Sequence, residues 1–253
     1  MNVLRSLLFY AGYFLAMLVC GVLFVPVSPL LPLRDRYRLL NLYNHFIIAW
    51  FRLVCGVRYD ISGLDRLPSG PCVILANHQC EWETVYLQLL KPPVCTVLKK
   101  ELLNFPIFGW GLRLLHPIAL DRSKPARAIK QVLVQGKSRL DEGLSVLIFP
   151  EGTRMEPGQR KRYTKSGAVI ACRAGVPVVP VAHNAGERWP ARHWVKNPGR
   201  LSLVVGEPIE TAGRTAEDVL IETEAWIEAR LAEISEVPRP ATPEAKVTEK
   251  PVP

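Results

Sequence analysis

The sequence predicts an α/β fold: a largely buried mixed sheet flanked by helices, preceded by two membrane-associated helices at the N-terminus. Three observations predict it. Residues 6–33 contain no charged side chain. From Tyr59 onward, short runs rich in β-branched residues alternate with stretches of helical period, the pattern of an α/β domain. A chain of 253 residues has room for one large domain with a complete core and small additions.

The first element is the apolar stretch SLLFYAGYFLAMLVCGVLFVPVSPLLPL. It exceeds the roughly 20 residues that a helix needs to cross a bilayer core. Pro26, Pro29 and Pro32 set the expected helix end near Phe24. A signal peptide is the competing reading, since Arg5 precedes the apolar run, but no clean small-x-small cleavage pattern stands before the prolines. Arg34, Arg36 and Arg38 follow the run against the lone Arg5 before it, which puts the body on the cytoplasmic side. The second element, residues 37–54, mixes Arg38, Asn41, Asn44 and Arg52 with apolar residues and reads as an amphipathic helix. With the first it forms a pair that spans, dips into or lies on the bilayer, or else packs only on the protein core. This helical pair fills residues 1–56, the α/β domain residues 57–237, and a Pro-rich tail residues 238–253. The tail's composition cannot build a core and predicts disorder.

Within the α/β domain, strands are expected at 59–62, 72–76, 94–98, 117–120, 145–149, 178–182 and 201–205. Helices are expected at 81–90, 125–142, 164–174 and 216–234. The net charge of +9 calls for an anionic partner. The apolar N-terminus favours membrane lipids, and no signature of an RNA-binding module supports nucleic acid. The six cysteines form no CxxC pair and read as reduced, buried hydrophobes. The five histidines, His45, His78, His116, His183 and His193, show no metal-ligand spacing, so no metal is expected.

Two clusters carry the chemistry. In VILANHQCEWET, residues 73–84, an apolar strand gives way to Asn77-His78-Gln79 where a helix is about to begin. Ligands of α/β sheets bind just past the carboxyl ends of strands. Glu83 follows His78 by five positions, about 140° away on a continuous helix, so the two meet only if His78 lies in the preceding turn. A carboxylate on one imidazole nitrogen fixes the tautomer and makes the other nitrogen a base fit to deprotonate a hydroxyl. In FPEGTR, residues 149–154, another apolar strand ends in Glu151, Gly152, Thr153 and Arg154. Arg binds phosphate through paired charge-assisted bonds, and Gly lets backbone amides approach an anion. The adjoining Arg160, Lys161, Arg162, Lys165 and Arg173, opposed only by Glu156, suit anionic headgroups or an acidic acyl carrier. Residues 99–110, apolar behind Lys99 and Lys100, suit a wall along which an acyl chain slides. Asp121-Arg122 ends another strand.

Together Asn77-His78 with Glu83, Asp121-Arg122, FPEGTR at 149–154 and VPVVPV at 176–181 resemble the four ordered blocks of the glycerophospholipid acyltransferases. The pattern is most like the bacterial 1-acyl-sn-glycerol-3-phosphate acyltransferases, over about residues 59–210. The resemblance implies a glycerol-3-phosphate acyltransferase-like fold at the cytoplasmic face of a bacterial inner membrane. It implies that His78 deprotonates the sn-2 hydroxyl of lysophosphatidate as that oxygen attacks a thioester of acyl-carrier protein or coenzyme A, giving phosphatidate with no cofactor. Glu83 then holds the imidazole. Arg122, Glu151, Gly152, Thr153 and Arg154 bind the acceptor's glycerol-phosphate portion, Lys100 matches a basic position ahead of the acyl wall, and Pro180 is structural. Two positions depart from the family pattern: Glu83 stands where Asp is more frequent, and His116 where the second block opens with Gly.

Three alternatives stand beside this. The acceptor could be another lysophospholipid or a hydroxylated aminolipid. Cys80 could be a thiol nucleophile activated by His78. The chain could be a membrane-anchored, noncatalytic lipid-binding protein on the same fold.

Overall fold

The computed structural model describes residues 1–121, 123 and 125–238. The chain opens with helix α1 (Asn2–Val27), a 3-10 turn at Ser28–Leu30, and helix α2 (Leu33–Cys55). Then follow β1 (Val57–Ser62), β2 (Val73–Ala76), α3 (Trp82–Leu90), β3 (Val94–Lys99), α4 (Phe108–Arg113) and β4 (Ile118–Leu120). The remainder is α5 (Pro125–Asp141), β5 (Ser145–Ile148), α6 (Ser166–Ala174), β6 (Val178–His183), α7 (Ala185–Arg188), β7 (Gly199–Val205) and α8 (Ala216–Ile234). Every expected strand and helix is present, with ends shifted by a few residues. The Pro-rich tail beyond Pro238 lies outside the described residues.

α1 runs past the expected end at Phe24 and takes in Pro26. In the last turn a missing N–H costs a single intrahelical bond. The N–H that Pro26 lacks would have gone to Val22, and the next turn still closes on the Phe24 carbonyl, which accepts the Ser28 amide and Ser28 Oγ at 2.7 Å. Pro29 falls in the first positions of the 3-10 turn, where its fixed φ fits.

The two N-terminal helices divide the roles left open for them. α2 buries Tyr37, Ile47, Ile48, Phe51 and Cys55 against the body and stops at Gly56 in a left-handed cap. α1 presents Leu4, Leu8, Phe14, Leu15, Val22 and Leu23 outward, each more than half exposed. Among the described residues it is the one helix long and apolar enough to cross a membrane. Both ends of α1 are tied to the body. Near its start Ser6 Oγ accepts the Lys196 amide at 2.7 Å and Phe9 packs edge-on against Trp189. Near its end Gly21 faces Ile107, whose side chain fills the space where a Cβ would stand. Ile107 is β-branched and holds φ +64, a strained conformation that this contact helps to maintain.

Among the described residues the sheet has seven strands in the order β1-β7-β6-β2-β5-β3-β4, parallel throughout except between β6 and β7. It is therefore mixed, as expected. β2, β5 and β6 lie at the centre and are buried at every position. Burial on both faces is why they read as unbroken apolar runs. One face is covered by α2 and α3 with Phe51, Trp82 and Leu87, the other by α5, α6 and α8 with Val132, Ile170 and Leu231. Pro180 is tolerated inside β6 because it lies where β7 ends: its carbonyl accepts the Gly206 amide, and its absent N–H falls beyond Val205.

The register Leu75↔Ile148 sets the carboxyl ends of β2 and β5 side by side. Asn77-His78 and residues 149–154 therefore leave the sheet at the same edge.

Candidate active site

His78 lies in the turn after β2, and Glu83 is the second residue of α3, the arrangement the five-residue spacing requires. Glu83 Oε1 meets His78 Nδ1 at 2.8 Å and accepts the Gln79 and Cys80 amides at 2.7 Å each. Its Oε2 accepts the Cys80 thiol at 2.9 Å. Both amides belong to the turn just ahead of the α3 N-cap, Glu81, where the helix N-terminus favours negative charge. The longer Glu side chain, in place of the family's usual Asp, uses this by reaching back over the turn while fully buried. Burial pushes its carboxyl up, but the His183 and His78 rings and the Cys80 thiol outweigh this and hold it at about 2. With the Nδ1 proton donated to a carboxylate, His78 Nε2 is left as an acceptor, and the ring borders an open cavity.

Residues 149–155 hold His78 at three points. Phe149 stacks on the imidazole at 4.2 Å with 16° between planes. The His78 amide donates to Glu151 Oε1 at 3.1 Å, and the His78 carbonyl accepts the Met155 amide at 2.7 Å.

The sequence reading gave Glu151 a part in binding the acceptor. Glu151 is buried beneath the loop, is not among the residues that border the cavity, and holds the backbone of His78. Burial pushes its carboxyl up to about 8, against its own amide and that of His78. Burial therefore favours its neutral form. This predicts that Glu151→Ala lowers kcat about tenfold or more, the cost of unpairing a buried donor, while acceptor KM moves little. Glu151→Gln, which keeps a neutral acceptor there, should restore most of the loss. Steady-state kinetics of both variants read this directly.

Gly152, Thr153 and Arg154 do border the cavity. Gly152 holds φ +68, a conformation that any side chain would strain. Arg154 Nη1 is paired with Glu81 Oε1 at 2.5 Å. Lys100 begins a 3-10 turn and is not among the residues that border the cavity, whereas Lys99, the last residue of β3, is. Arg122 lies outside the described residues. In the basic run Arg160 is neutralised by Glu224 and Glu228 of α8, Glu156 pairs with Arg192, and Lys165 reaches the cavity.

The cavity measures about 960 Å³. His78, Arg154, Lys99 and Lys165 stand at its polar part. Elsewhere its walls are apolar, with Met17 and Val25 from α1, Leu112 from α4, and Ile129 and Val132 from α5. Of the expected acyl wall, Leu102, Ile107 and Phe108 contribute, whereas Phe105 and Trp110 are exposed.

Several features escaped the sequence. Asn77 is locked to His183 by three hydrogen bonds of 2.8–3.0 Å, fixing the end of β2 on the end of β6. His116 holds φ +49, a left-handed conformation that favours glycine, and His is among the residues that tolerate it. The Gln79 and Cys80 amides, candidates for binding a developing oxyanion, are occupied by Glu83, and Gly152 donates to Phe149. The Thr153 and Arg154 amides make no hydrogen bond among the described residues. Cys80 is fully buried, and burial together with Glu83 pushes its thiol well up, which removes it as a nucleophile.

A family model described as acyltransferase matches residues 58–184. The chain is 43% identical over 238 residues to a 1-acyl-sn-glycerol-3-phosphate acyltransferase of Pseudomonas aeruginosa, covering 92% of this chain and 93% of that one. It is 30% identical over 222 residues to the human 1-acyl-sn-glycerol-3-phosphate acyltransferase beta, covering 85% of this chain and 79% of that one. Among solved structures, the 1-acyl-sn-glycerophosphate acyltransferase of Thermotoga maritima shares the fold with a TM-score of 0.77, at 24% identity over 92% of this chain and 95% of that one.

Proposed function

The chain belongs to the acyltransferase family, and from that premise we propose that it acylates the sn-2 hydroxyl of 1-acyl-sn-glycerol-3-phosphate from a thioester of acyl-carrier protein or coenzyme A, giving phosphatidate. The observation that carries this is one cavity holding a carboxylate-paired imidazole, a guanidinium and a long apolar wall. An acceptor with a hydroxyl, a phosphate and an acyl chain matches all three. The names of the two relatives point to the same acceptor.

His78 Nε2 takes the hydroxyl proton as the oxygen attacks the thioester carbonyl, and the buried Glu83 carboxylate stabilises the imidazolium. The new C–O bond forms, the C–S bond breaks, and the departing sulfur takes the proton from His78. The amides of Thr153 and Arg154 are the unengaged donors nearest in sequence to the phosphate loop for the developing oxyanion. The reaction calls for no cofactor, because each proton transfer is served by the imidazole. Arg154 with Lys99 and Lys165 holds the phosphate. The protein is membrane-associated through α1, and the arginines after α1 favour the cytoplasmic face of a bacterial inner membrane.

The test is a panel of lyso-acceptors, including lysophosphatidate and a hydroxylated aminolipid, given with each thioester donor to the purified protein in lipid micelles and analysed by mass. The expected product is phosphatidate. Acylation of a different acceptor would redirect the assignment, and lipid binding with no acylation from either donor would favour a noncatalytic protein. In the same assay Arg154→Ala should raise KM for lysophosphatidate about ten- to a hundredfold, the worth of a charge-assisted hydrogen bond, with a smaller change in kcat.

A further inference from the structure

Glu81 was assigned no part by the sequence. Three observations give it one. Its carboxylate holds the Arg154 guanidinium at 2.5 Å across two loops, with both side chains partly exposed. Among the described residues that border the cavity it is the single carboxylate, facing Lys99, Arg154 and Lys165. It stands at the N-cap of α3 but makes no side-chain capping bond, so its orientation serves the arginine and not the helix.

We propose that Glu81 is a built-in competitor for the phosphate site: it occupies Arg154 when the site is empty and must be displaced when a phosphomonoester binds. This rests on the phosphate-acceptor reading above and deepens it. The phosphate is carried alike by acceptor, transition state and product. Tight binding to it is therefore uniform binding, which lowers KM without speeding the chemical step and slows departure of the product. A tethered carboxylate weakens that grip by a limited amount, because a partly exposed ion pair is modest in strength. Glu81 is thus a positioning residue that acts through Arg154 and sets how long the headgroup stays.

The test compares wild type, Glu81→Gln, Arg154→Ala and the double variant, by acceptor kinetics, by product inhibition, and by calorimetric titration with inorganic phosphate. In Glu81→Gln we expect acceptor KM, the inhibition constant of the product and the phosphate dissociation constant to fall together by about two- to fivefold. In the Arg154→Ala background the same change should have no effect on any of them. Unchanged or raised values in Glu81→Gln, or an equal fall in both backgrounds, would overturn the proposal. A purely structural role would instead lower kcat and Tm, without tightening phosphate. The titration separates this inference from its premise. If the wild type acylates no phosphate-bearing acceptor yet Glu81→Gln binds phosphate more tightly, the competitor stands and the acceptor assignment falls.

Discussion

His78→Ala should cut kcat by about 10³- to 10⁴-fold, at the upper end of what a positioned general base contributes. The reason lies in the geometry: Nδ1 is committed to Glu83, so Nε2 is the base that borders the cavity. The fold should survive the change. Glu83 keeps the Gln79 and Cys80 amides and the Cys80 thiol as partners, and residues 149–155 hold the backbone of residue 78 through Glu151 and Met155. Acceptor KM should stay near its wild-type value, since the proposed phosphate contacts lie on Arg154 and the two lysines. Single-turnover measurement with both substrates at saturation isolates the chemical step. Full transfer by the purified variant would sink the mechanism.

Glu83→Gln should lower kcat by about 10²- to 10⁴-fold and also change how stability responds to acid. The catalytic effect follows from charge: an amide accepts the Nδ1 proton weakly and does not stabilise an imidazolium. The stability effect follows from linkage. The folded carboxyl sits at about 2 against an ordinary 4.5, so its contribution is fully present above about 4.5 and is lost as pH falls through about 2. Gln lacks that dependence, so the gap between wild type and variant should narrow on going from pH 5 toward pH 2. Glu151 works in the other direction. Its folded value is raised to about 8, so its contribution is present below about 4.5 and is lost as pH rises through about 8. The windows do not overlap, and urea titrations at pH 3, 6 and 9 separate the two carboxyls.

The centre of the fold was legible because β2, β5 and β6 are buried on both faces and so read as unbroken apolar runs. α4 and α7 were not, because six and four residues are too few to display a helical period. In the site, His78 and Glu83 were found by position, each polar cluster following a strand end. The side on which a residue falls was not legible. FPEGTR lists residue types, but the turn of the chain sends Glu151 inward and Arg154 outward. Lys99 and Lys100 differ by one position at the end of β3, enough to decide which one reaches the cavity. The pairs Glu81–Arg154 and Asn77–His183 join residues far apart in sequence, and no local spacing signals them.

The fastening of α1 at both ends has a consequence for how reaction rate depends on concentration. Ser6 and Gly21, both held against the body, are about 23 Å apart along the axis at 1.5 Å per residue. Over that distance α1 runs along the protein, so the outward apolar stripe and the cavity belong to one continuous surface. The outward stripe of α1 is apolar, and the helix's inner side, through Met17 and Val25, is part of the cavity wall. Under the proposed function, with that surface resting on a membrane, a lipid acceptor would arrive by lateral diffusion, without first crossing water as a monomer. Encounter becomes a two-dimensional event, governed by the mole fraction of acceptor in the surface, so that inert lipid acts as a diluent even when the bulk amount of substrate is unchanged.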